Sequence, residues 1–405
     1  MALTTVQDAK VAAGSRPQVG ELIERARAIG VLARERALET EKQRHVSADL
    51  VGKMRDAQLF RVMQPARFGG FEYGYEVFVE LVAAVAAGDG STGWVYSLGA
   101  VHQWLIACFP MEAQREVWDD NQDAIAAASY APSGRAVAVP GGYRLSGRWS
   151  FASGVDNVQW GMIGGLLPVE GGVKPGFLLV PRSEFTIDDD WFAMGLAGTG
   201  SKTIVVDDVF VPAYRTALFA DLLTGQGPGS KINPNPLYRQ PMLAVVPQCL
   251  LAPVLGMARG ALACFIEQVG GRATRGAVAG GNNKMVEFAT VQLRVAEAIG
   301  CIDAAQLMID RDLSETFDIV QRDQQVDVAT RLRNRLTHTF AAKLLVQAVD
   351  AVFAAGGGNA LGTKQPLQRF WRDIHAAGSH ISLNWDAVGS MYGQHVFGLE
   401  PKGQY

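Results

Sequence analysis

The sequence is poor in cysteine, in charge and in metal-binding patterns. Its 405 residues include four cysteines that stand far apart, with no CxxC pair and no cluster of cysteine and histidine, so neither a disulfide scaffold nor a metal site is expected. Charged residues make up only 19% of the chain and the net charge is −3, which argues against binding to nucleic-acid phosphates or an anionic membrane. Apolar residues, at 48%, are abundant enough for a large core, and the length predicts two or three domains.

No segment of the sequence predicts export or membrane insertion. The first ten residues, MALTTVQDAK, lack a basic region followed by an apolar one, so a cytoplasmic location is expected. Two long stretches, residues 90–111 and 242–258, contain no charged residue. The first is diluted by serine, threonine, histidine and glutamine, and the second is broken by two prolines and a glutamine. These interruptions predict buried helices rather than membrane spans.

The hydrophobic periodicity divides the chain into three zones and predicts a mostly α member of the α+β class. In residues 1–121, apolar residues recur every three or four positions, as expected for an N-terminal helical domain. Residues 122–232 change to short runs separated by glycine and proline, with a hairpin signal at Pro140-Gly141-Gly142, and predict a central β-barrel or sandwich domain. Residues 233–405 return to long helices and predict a C-terminal bundle of about four.

Two finer predictions concern the later part of the chain. Residues 223–236 have no periodicity and are predicted to form a mobile surface loop. The final helix is predicted to span about residues 366–392, which would place His375 and His380 five positions apart on one helix. Five positions correspond to about 140° around a helix axis, so at most one of the two histidines is expected to face a site.

The other histidines differ in their surroundings. His102 sits in the first uncharged stretch, where an imidazole without a partner is energetically costly. On these grounds a satisfied core histidine and a site histidine remain equally open. The other three lie among charged or helix-surface residues and are interpreted as ordinary residues of the surface: His45, His338 and His395.

Three short segments have both a structural and a functional interpretation. Residues 195–202 superficially match a phosphate-binding loop, but the lysine is misplaced and a strand follows. Residues 355–362 follow a helix and do not spell GxGxxG, so they are either a helix stop or a place where backbone amides approach a phosphate. Residues 147–154 end a strand in a small polar step, which is either a plain strand edge or a site where Ser153 binds a flat heterocycle.

The order of the zones, together with several strings, resembles the acyl-CoA dehydrogenase superfamily over nearly the whole chain. That resemblance implies an N-terminal helical domain, a central β-barrel and a C-terminal four-helix bundle. Within the superfamily the sequence is most similar to the oxygenase components of two-component flavin-dependent monooxygenases, such as those that hydroxylate 4-hydroxyphenylacetate or a steroid-derived phenolic ring. The strings are GSTGWV at 90–95, VHQW at 101–104, ASYAP at 128–132, WSFASG at 149–154, VFVP at 209–212, AGGGNALG at 355–362 and RFWRDIHA at 369–376.

The sequence departs from the dehydrogenases at the residue that acts as their general base. Those enzymes place a glutamate eight residues after an Arg-Asp pair, which here is Arg372-Asp373, and that glutamate removes a proton from a thioester. The equivalent position holds Ile381, which cannot accept a proton. Its neighbour His380 can, so the resemblance favours an oxygenase over a dehydrogenase.

The resemblance implies a reduced-flavin-dependent aromatic hydroxylase. A separate flavin reductase would supply reduced FMN or FAD, whose reaction with O2 would give a C4a-hydroperoxyflavin that hydroxylates a phenolic or other aromatic substrate. His102 and Ser129 match the positions that hold the phenolic oxygen. Ser153 matches the position that hydrogen-bonds flavin N5, and His380 matches a position near the peroxide.

Further residues are implied to bind the flavin or to keep the site dry. Arg275 resembles the flavin-phosphate arginine, with a solvated arginine at a helix end as an equally open alternative. Gly357 and Gly358 would approach the flavin from a neighbouring subunit of a homotetramer. The remaining candidates are tryptophans: Trp149 at the flavin, Trp191 either at the flavin or in core packing, and Trp94 and Trp104 as barriers to water.

Three other functions remain open from the sequence. The first is hydroxylation of an indole, an amine or a sulfur heterocycle on the same scaffold. The second is an acyl-CoA dehydrogenase that carries its base on another helix. The third is a non-catalytic flavin-binding or structural protein.

Overall fold

The computed structural model describes residues 16–273 and 284–405. Helices come first, a seven-stranded sheet follows, and helices complete the fold, which confirms the predicted mostly α architecture. The helices are α1 Val19–Gln43, α2 Ala48–Asp56, α3 Tyr75–Ala86, α4 Gly90–Ala107, α5 Met111–Trp118, α6 Phe219–Leu222, α7 Met242–Val245, α8 Gln248–Gly270, α9 Ala289–Gln321, α10 Val328–Gly356, α11 Pro366–Gly378 and α12 Trp385–Val396. The strands are β1 Ala126–Val139, β2 Gly142–Ala152, β3 Trp160–Val169, β4 Gly172–Pro181, β5 Thr186–Asp188, β6 Lys202–Pro212 and β7 Thr216–Leu218.

The uncharged helix α4 runs through the core of the molecule. Asp89 begins it by accepting a hydrogen bond from the Thr92 backbone amide at 2.8 Å, as a helix-capping aspartate does. Every residue of α4 except Leu98 is buried. The prediction that residues 90–111 form a buried helix is therefore confirmed for α4, and its polar side chains must find partners inside the protein.

The sheet has the strand order β5-β6-β2-β1-β3-β4-β7. β1 and β2 form the predicted antiparallel hairpin, whereas β1 and β3 run parallel. Two of the irregularities in the ladders are near the predicted site residues: the β1–β3 register shifts between Ser129 and Gly134, and the β2–β6 register shifts between Trp149 and Ala152. Such bulges bend a strand and re-aim the side chains beside them. Both lie at strings that the sequence links to the site.

The C-terminal helices pack around α10, which contacts α8, α9, α11 and α12. Two stretches of the described chain, Met242–Gly270 and Val328–Leu361, are long and apolar enough to span a membrane. In the first, 78% of the most apolar window is buried inside the protein, which confirms the predicted core helix. In the second, only 44% is buried, so the α10 region leaves much apolar surface uncovered in a single chain.

The predicted final helix is wrong because two helices replace it. α11 ends at Gly378, and α12 begins at Trp385, where the Asn384 side chain accepts a hydrogen bond from the Ala387 amide. His380 lies between the two helices, at the start of a short 3₁₀ turn. Its direction is therefore set by that turn and not by helical spacing.

The segment at 223–236 packs against the end of α4 instead of forming a free surface loop. The Gly229 amide donates to Cys108 O at 2.9 Å, and Asn233 Nδ2 donates to Ala107 O at 2.8 Å. These carbonyls belong to the last turn of α4 and have no acceptor role within the helix. A segment without periodicity is thus held in place because it completes the hydrogen bonding of a buried helix end.

Candidate active site

Three predicted residues, Trp94, Ser153 and His380, meet where α4, the end of β2 and the turn before α12 come together. Trp94 on α4 donates its indole N–H to Ser153 Oγ at 3.2 Å, and its ring centre lies 6.1 Å from that of His380. One turn further along α4, Ser97 donates to Cys249 O at 2.7 Å, which fixes the start of α8 beside the same helix. Trp94 therefore links Ser153 and His380.

His102 lies about two turns after Trp94 on α4 and is 1% exposed. Its Nδ1 contacts Ala126 O at 2.7 Å, and because a carbonyl only accepts, Nδ1 carries the proton and Nε2 is the basic nitrogen. Nε2 is buried and has no hydrogen-bond partner in residues 16–273 or 284–405. Burial lowers the pKa of His102 to about 4, so the imidazole is neutral near pH 7. His102 is thus a buried acceptor that lacks a donor.

Ser129 lies on the same stretch of β1 that fixes His102. It is buried, and its hydroxyl donates to Ser150 O at 2.8 Å. Ala126 O, which holds the His102 ring, is three residues earlier on this strand. The strand therefore positions both residues that the sequence assigns to one phenolic oxygen, and Ser129 keeps lone pairs for a further donor.

Ser153 ends a chain of hydroxyl groups between β2 and β6. Thr199 donates to Leu196 O at 2.8 Å, because a carbonyl cannot donate. Ser201 must then donate to Thr199 at 2.6 Å, and Ser153 must donate to Ser201 at 2.7 Å. Ser153 Oγ also accepts from the Trp94 indole, so one lone pair remains on it. The free position of Ser153 accepts a hydrogen bond and cannot donate one.

His380 has the opposite proton arrangement to His102. It precedes the 3₁₀ turn Ile381–Leu383, and its Nδ1 accepts from the Ser382 backbone amide at 3.1 Å. In the neutral ring the proton is therefore on Nε2. Burial, with a smaller contribution from the nearby Arg335 cation, lowers the pKa of His380 to about 4. His380 consequently offers an N–H where His102 offers a lone pair.

Phe151 lies two residues before Ser153, in a string that carries the resemblance, but no role was predicted for it. Its ring is 70% exposed, and its φ of 66° places a residue other than glycine in the left-handed region. The Phe151 ring packs edge-on against Trp191, with ring centres 6.1 Å apart. Trp149, by contrast, is 0% exposed and donates to Gly164 O at 2.7 Å. Phe151 is therefore better placed than Trp149 to stack on a flat cofactor.

The other predicted residues are more widely spread. Gly357 and Gly358 lie in the turn after α10, with open space where a Cβ would stand. Trp104 is buried and donates its indole N–H to Leu237 O at 2.8 Å, so it packs the core beyond His102. Arg275 lies outside the described residues, and its role remains a prediction.

The position of the dehydrogenases' glutamate lies at the surface of the chain. Ile381 is 80% exposed, and the first carboxylate after it is Asp386, in the first turn of α12. Within the described ranges, no group of three His, Cys, Asp or Glu side chains is arranged to hold a metal ion. The groups that meet at Trp94 are hydroxyls and an imidazole, which suit the positioning of protons rather than their abstraction from a thioester.

Asp373 anchors the loop that leads into the hydroxyl chain. It is 2% exposed and accepts a hydrogen bond from the Leu196 amide at 2.6 Å. Arg369, one turn earlier on α11, lies 3.6 Å from Asp89, the residue that begins α4. Burial, followed by repulsion from Asp89, raises the pKa of Asp373 to about 7. One buried network thus ties α11, the loop before β6 and α4 together.

The interpretation of His338 as a surface residue is wrong. It is 0% exposed, and neither ring nitrogen has a partner in the part of the chain described. The nearest charged residue in the sequence, Arg335, is itself buried on α10, so a charge close by in the sequence does not mark the surface of this helix.

Two family models match the chain. The model described as "Acyl-CoA dehydrogenase, N-terminal domain" matches residues 24–119, and the one described as "Acyl-CoA dehydrogenase, C-terminal domain" matches residues 248–385. Their order along the chain agrees with the two helical parts of the fold.

Individual relatives are similar over almost the whole length. The chain is 45% identical over 400 residues to the FADH(2)-dependent resorcinol hydroxylase, oxygenase component, of Rhizobium sp. (strain MTP-10005), covering 97% of this chain and 98% of the relative. The crystal structure of 3-HSA hydroxylase from Rhodococcus sp. RHA1 superimposes with a TM-score of 0.90 at 36% identity, covering 95% and 98% of the two chains. XiaF from Streptomyces sp., solved with FADH2 and glycerol, gives a TM-score of 0.86 at 27% identity, covering 95% and 97%.

Proposed function

Because this chain belongs to the acyl-CoA dehydrogenase superfamily, among the oxygenase components of two-component flavin-dependent monooxygenases, we propose that it hydroxylates a phenol bound by His102. The enzyme uses O2 and reduced flavin, which a separate reductase supplies. The observation that supports a phenolic substrate is the buried, unpartnered Nε2 of neutral His102. A phenol, with a pKa of about 10, is protonated at pH 7 and brings the donor that this nitrogen lacks.

Binding to His102 also activates the phenol. As the phenolic O–H leans toward Nε2, electron density moves to the ring carbon ortho to the oxygen, which is the carbon that must attack an electrophilic oxygen. The pKa of His102, lowered to about 4 by burial, favours a shared hydrogen bond over complete proton transfer. Ser129 is the second contact to the phenolic oxygen in this proposal.

The residues around Ser153 fit a reduced flavin. The remaining lone pair of Ser153 accepts a hydrogen bond, and N5 of a reduced flavin carries the N–H that supplies it, whereas N5 of an oxidised flavin has only a lone pair. Phe151 provides an exposed aromatic face two residues away, and His380 offers its Nε2–H beside Trp94. The flavin, when bound, supplies the electrons and the oxygen-activating chemistry.

The helix α4 keeps water away from this chemistry. Trp94 and Trp104 are 5% and 1% exposed, and each donates its indole N–H to an atom inside the protein. A dry site prevents the activated oxygen from being lost as hydrogen peroxide. We assign Trp94 and Trp104 this role because both fill the helix that also carries His102.

We further propose that the enzyme is a cytoplasmic homotetramer in which neighbouring subunits complete the flavin site. Three large apolar side chains on α9 and in the turn after α10 are about two-thirds exposed: Leu293, Leu307 and Leu361. Exposed apolar surface of this kind is typical of subunit contacts. Gly357 and Gly358 stand in the same turn as Leu361, which supports their approach to the flavin of a neighbouring subunit.

The function is tested by mixing the protein with photoreduced FMN or FAD and oxygenated buffer in a stopped-flow spectrometer. We expect a transient near-ultraviolet absorbance that outlasts the oxidation of free flavin, and a hydroxylated product when a phenol is present. Oxidation at the free-flavin rate, without product, would contradict the proposal.

Replacing His102 by alanine should uncouple the reaction. We expect the transient absorbance to persist, because Ser153 and His380 are intact. The yield of hydroxylated product per flavin should fall at least tenfold, and each mole of product lost should appear as a mole of hydrogen peroxide. His375→Ala is the matched control, since its Nδ1 contacts Trp371 O within α11, and it should hydroxylate normally. Normal coupling in His102→Ala would show that the imidazole does not activate the phenol.

A further inference from the structure

Two buried polar side chains on α10 have no partner in the described chain. Arg335 is 6% exposed and His338 is 0% exposed. Nε and Nη1 of Arg335 and both ring nitrogens of His338 are enclosed without a hydrogen bond, and no described carboxylate forms an ion pair with Arg335. The two residues are three positions apart, so they are neighbours on one face of the helix.

The other arginines of this helix region are partnered. Arg331 donates to Tyr405 O at 3.2 Å, and Arg333 forms ion pairs with Asp312 and Glu315. A buried charge without a partner is strongly unfavourable because its hydration is lost and nothing replaces it. Burial lowers the pKa of Arg335 to about 10, so it is still a cation at neutral pH. Arg335 therefore carries a charge that the described chain does not neutralise.

Helix α10 contacts α7 and the 3₁₀ turn that follows His380. Asn334 Nδ2 lies 3.5 Å from Ala244 O of α7, and α7 leads directly into the start of α8, which Ser97 binds to α4. The Arg335 cation is also close enough to His380 to contribute to lowering its pKa. Arg335 thus lies near His380, whose ring centre is 6.1 Å from that of Trp94 on α4, and His338 lies beside Arg335 on α10.

We propose that Arg335 and His338 bind a second oxygen substituent of the aromatic substrate. This inference rests on the proposed function, in which His102 takes the first hydroxyl group. Arginine has only donors, so the group that it binds is an acceptor oxygen, and neutral His338 donates to that oxygen or accepts from it. The substrate is therefore a ring with a phenolic hydroxyl at His102 and a further hydroxyl or carboxylate at Arg335.

Equilibrium binding tests this inference separately from the reaction with oxygen. Anaerobic protein with reduced flavin is titrated with phenol, resorcinol and 3-hydroxybenzoate, and tryptophan fluorescence reports binding. We expect resorcinol or 3-hydroxybenzoate to bind at least tenfold more tightly than phenol, and the tighter of the two identifies the substituent. Arg335→Gln should abolish this preference and leave the Kd of phenol unchanged.

Two outcomes of the titration overturn the inference: equal Kd values for the three compounds in the unmodified protein, or equal weakening of all three in Arg335→Gln. Neither outcome contradicts the proposed function, because the transient absorbance after mixing with oxygen tests that function independently.

Thermal unfolding gives a second test, which distinguishes a binding residue from a structural one. Removing an unpaired buried cation relieves its desolvation, so Arg335→Met should raise the Tm of the ligand-free protein and cancel the Tm increase produced by the tighter-binding compound. Arg331→Met, the control one turn away, should lower the Tm and keep that increase. A lower Tm in Arg335→Met, with the ligand-induced increase retained, overturns the inference.

Discussion

At the level of single residues, the position of each proton determines what the site can bind. His102 presents an unprotonated Nε2 because its proton is on Nδ1, which donates it to Ala126 O. Ser153 presents a lone pair because Ser201 takes its proton. These properties depend on backbone carbonyls and hydroxyl partners rather than on residue type, since either imidazole or hydroxyl is able to donate or accept in another setting.

Ser201→Ala should weaken the preference of the protein for reduced over oxidised flavin. Without Ser201, the hydroxyl of Ser153 regains a free proton and can donate to the N5 lone pair of oxidised flavin. We expect the Kd of oxidised FMN to fall about tenfold, as one hydrogen bond of about 1 kcal/mol or slightly more would give. Calorimetric titration with oxidised FMN, and anaerobic titration with reduced FMN, measure the two affinities.

The control for Ser201→Ala is Ser133→Ala, which removes a hydroxyl that donates to Arg148 O on the neighbouring strand. It should leave both affinities unchanged. An unchanged ratio of the oxidised and reduced Kd values in Ser201→Ala would show that the proton order assigned to the chain is wrong.

Residues were predictable from the sequence where a local string carries their chemistry. His102 stands out because its surroundings lack charge, and Ser153 because it follows a strand as a small polar step. Phe151 was not predictable, since its outward direction depends on a bulge and a positive φ. Arg335 and His338 were not predictable either, because their burial depends on how α7, α8 and α10 pack together.

At the level of elements, the loop before β6 is held by a carboxylate from a distant helix. Asp373 on α11 accepts the Leu196 amide, and Leu196 O in turn receives the proton of Thr199. The position of the hydroxyl chain therefore depends on the position of α11. The Arg-Asp pair of the sequence string thus has a structural role besides marking the distance to Ile381.

Asp373→Asn should stabilise the protein increasingly as the pH rises. The pKa of Asp373 is raised from 3.8 to about 7, so between these values the folded protein holds a proton that the unfolded chain has lost, and stability falls with rising pH. Asparagine imitates the protonated acid at every pH. The gain in unfolding free energy should be small at pH 4 and on the order of 4 kcal/mol at pH 8.

Chemical denaturation of the two proteins at pH 4, 6 and 8 measures this gain. A difference in unfolding free energy that is the same at all three pH values would contradict the raised pKa of Asp373.

Elements were predicted well where composition is extreme and poorly where tertiary contacts decide. The uncharged stretch of α4 has one stable location, which is the core. The break between α11 and α12 is instead set by Asn384 capping the second helix, and residues 223–236 are ordered by the carbonyls at the end of α4. Neither partner is visible in the local sequence pattern.

At the level of the whole molecule, apolar surface on α9 and after α10 predicts association. Sedimentation velocity of the unmodified protein should give four times the 43.5 kDa chain mass. Leu307→Glu, which places a charge on a residue 70% exposed, should give a smaller species because burying that charge in a contact is costly.

Leu166→Glu is the control for the assembly, since Leu166 is an exposed residue of β3 in the sheet. It should leave the tetramer intact. A monomeric unmodified protein at micromolar concentration would remove the argument that a neighbouring subunit contributes Gly357 and Gly358.

In the proposed flavin site, the direction of the hydroxyl chain would also affect how long a flavin stays bound. In the proposed site, an oxidised flavin, whose N5 carries no hydrogen, would present a lone pair to the remaining lone pair of Ser153. That contact would be unfavourable, so release of the oxidised flavin would be favoured over its retention. A protein of this kind would use flavin as a diffusible carrier that is reduced elsewhere and exchanged in every catalytic cycle. It would not keep the flavin as a permanent prosthetic group.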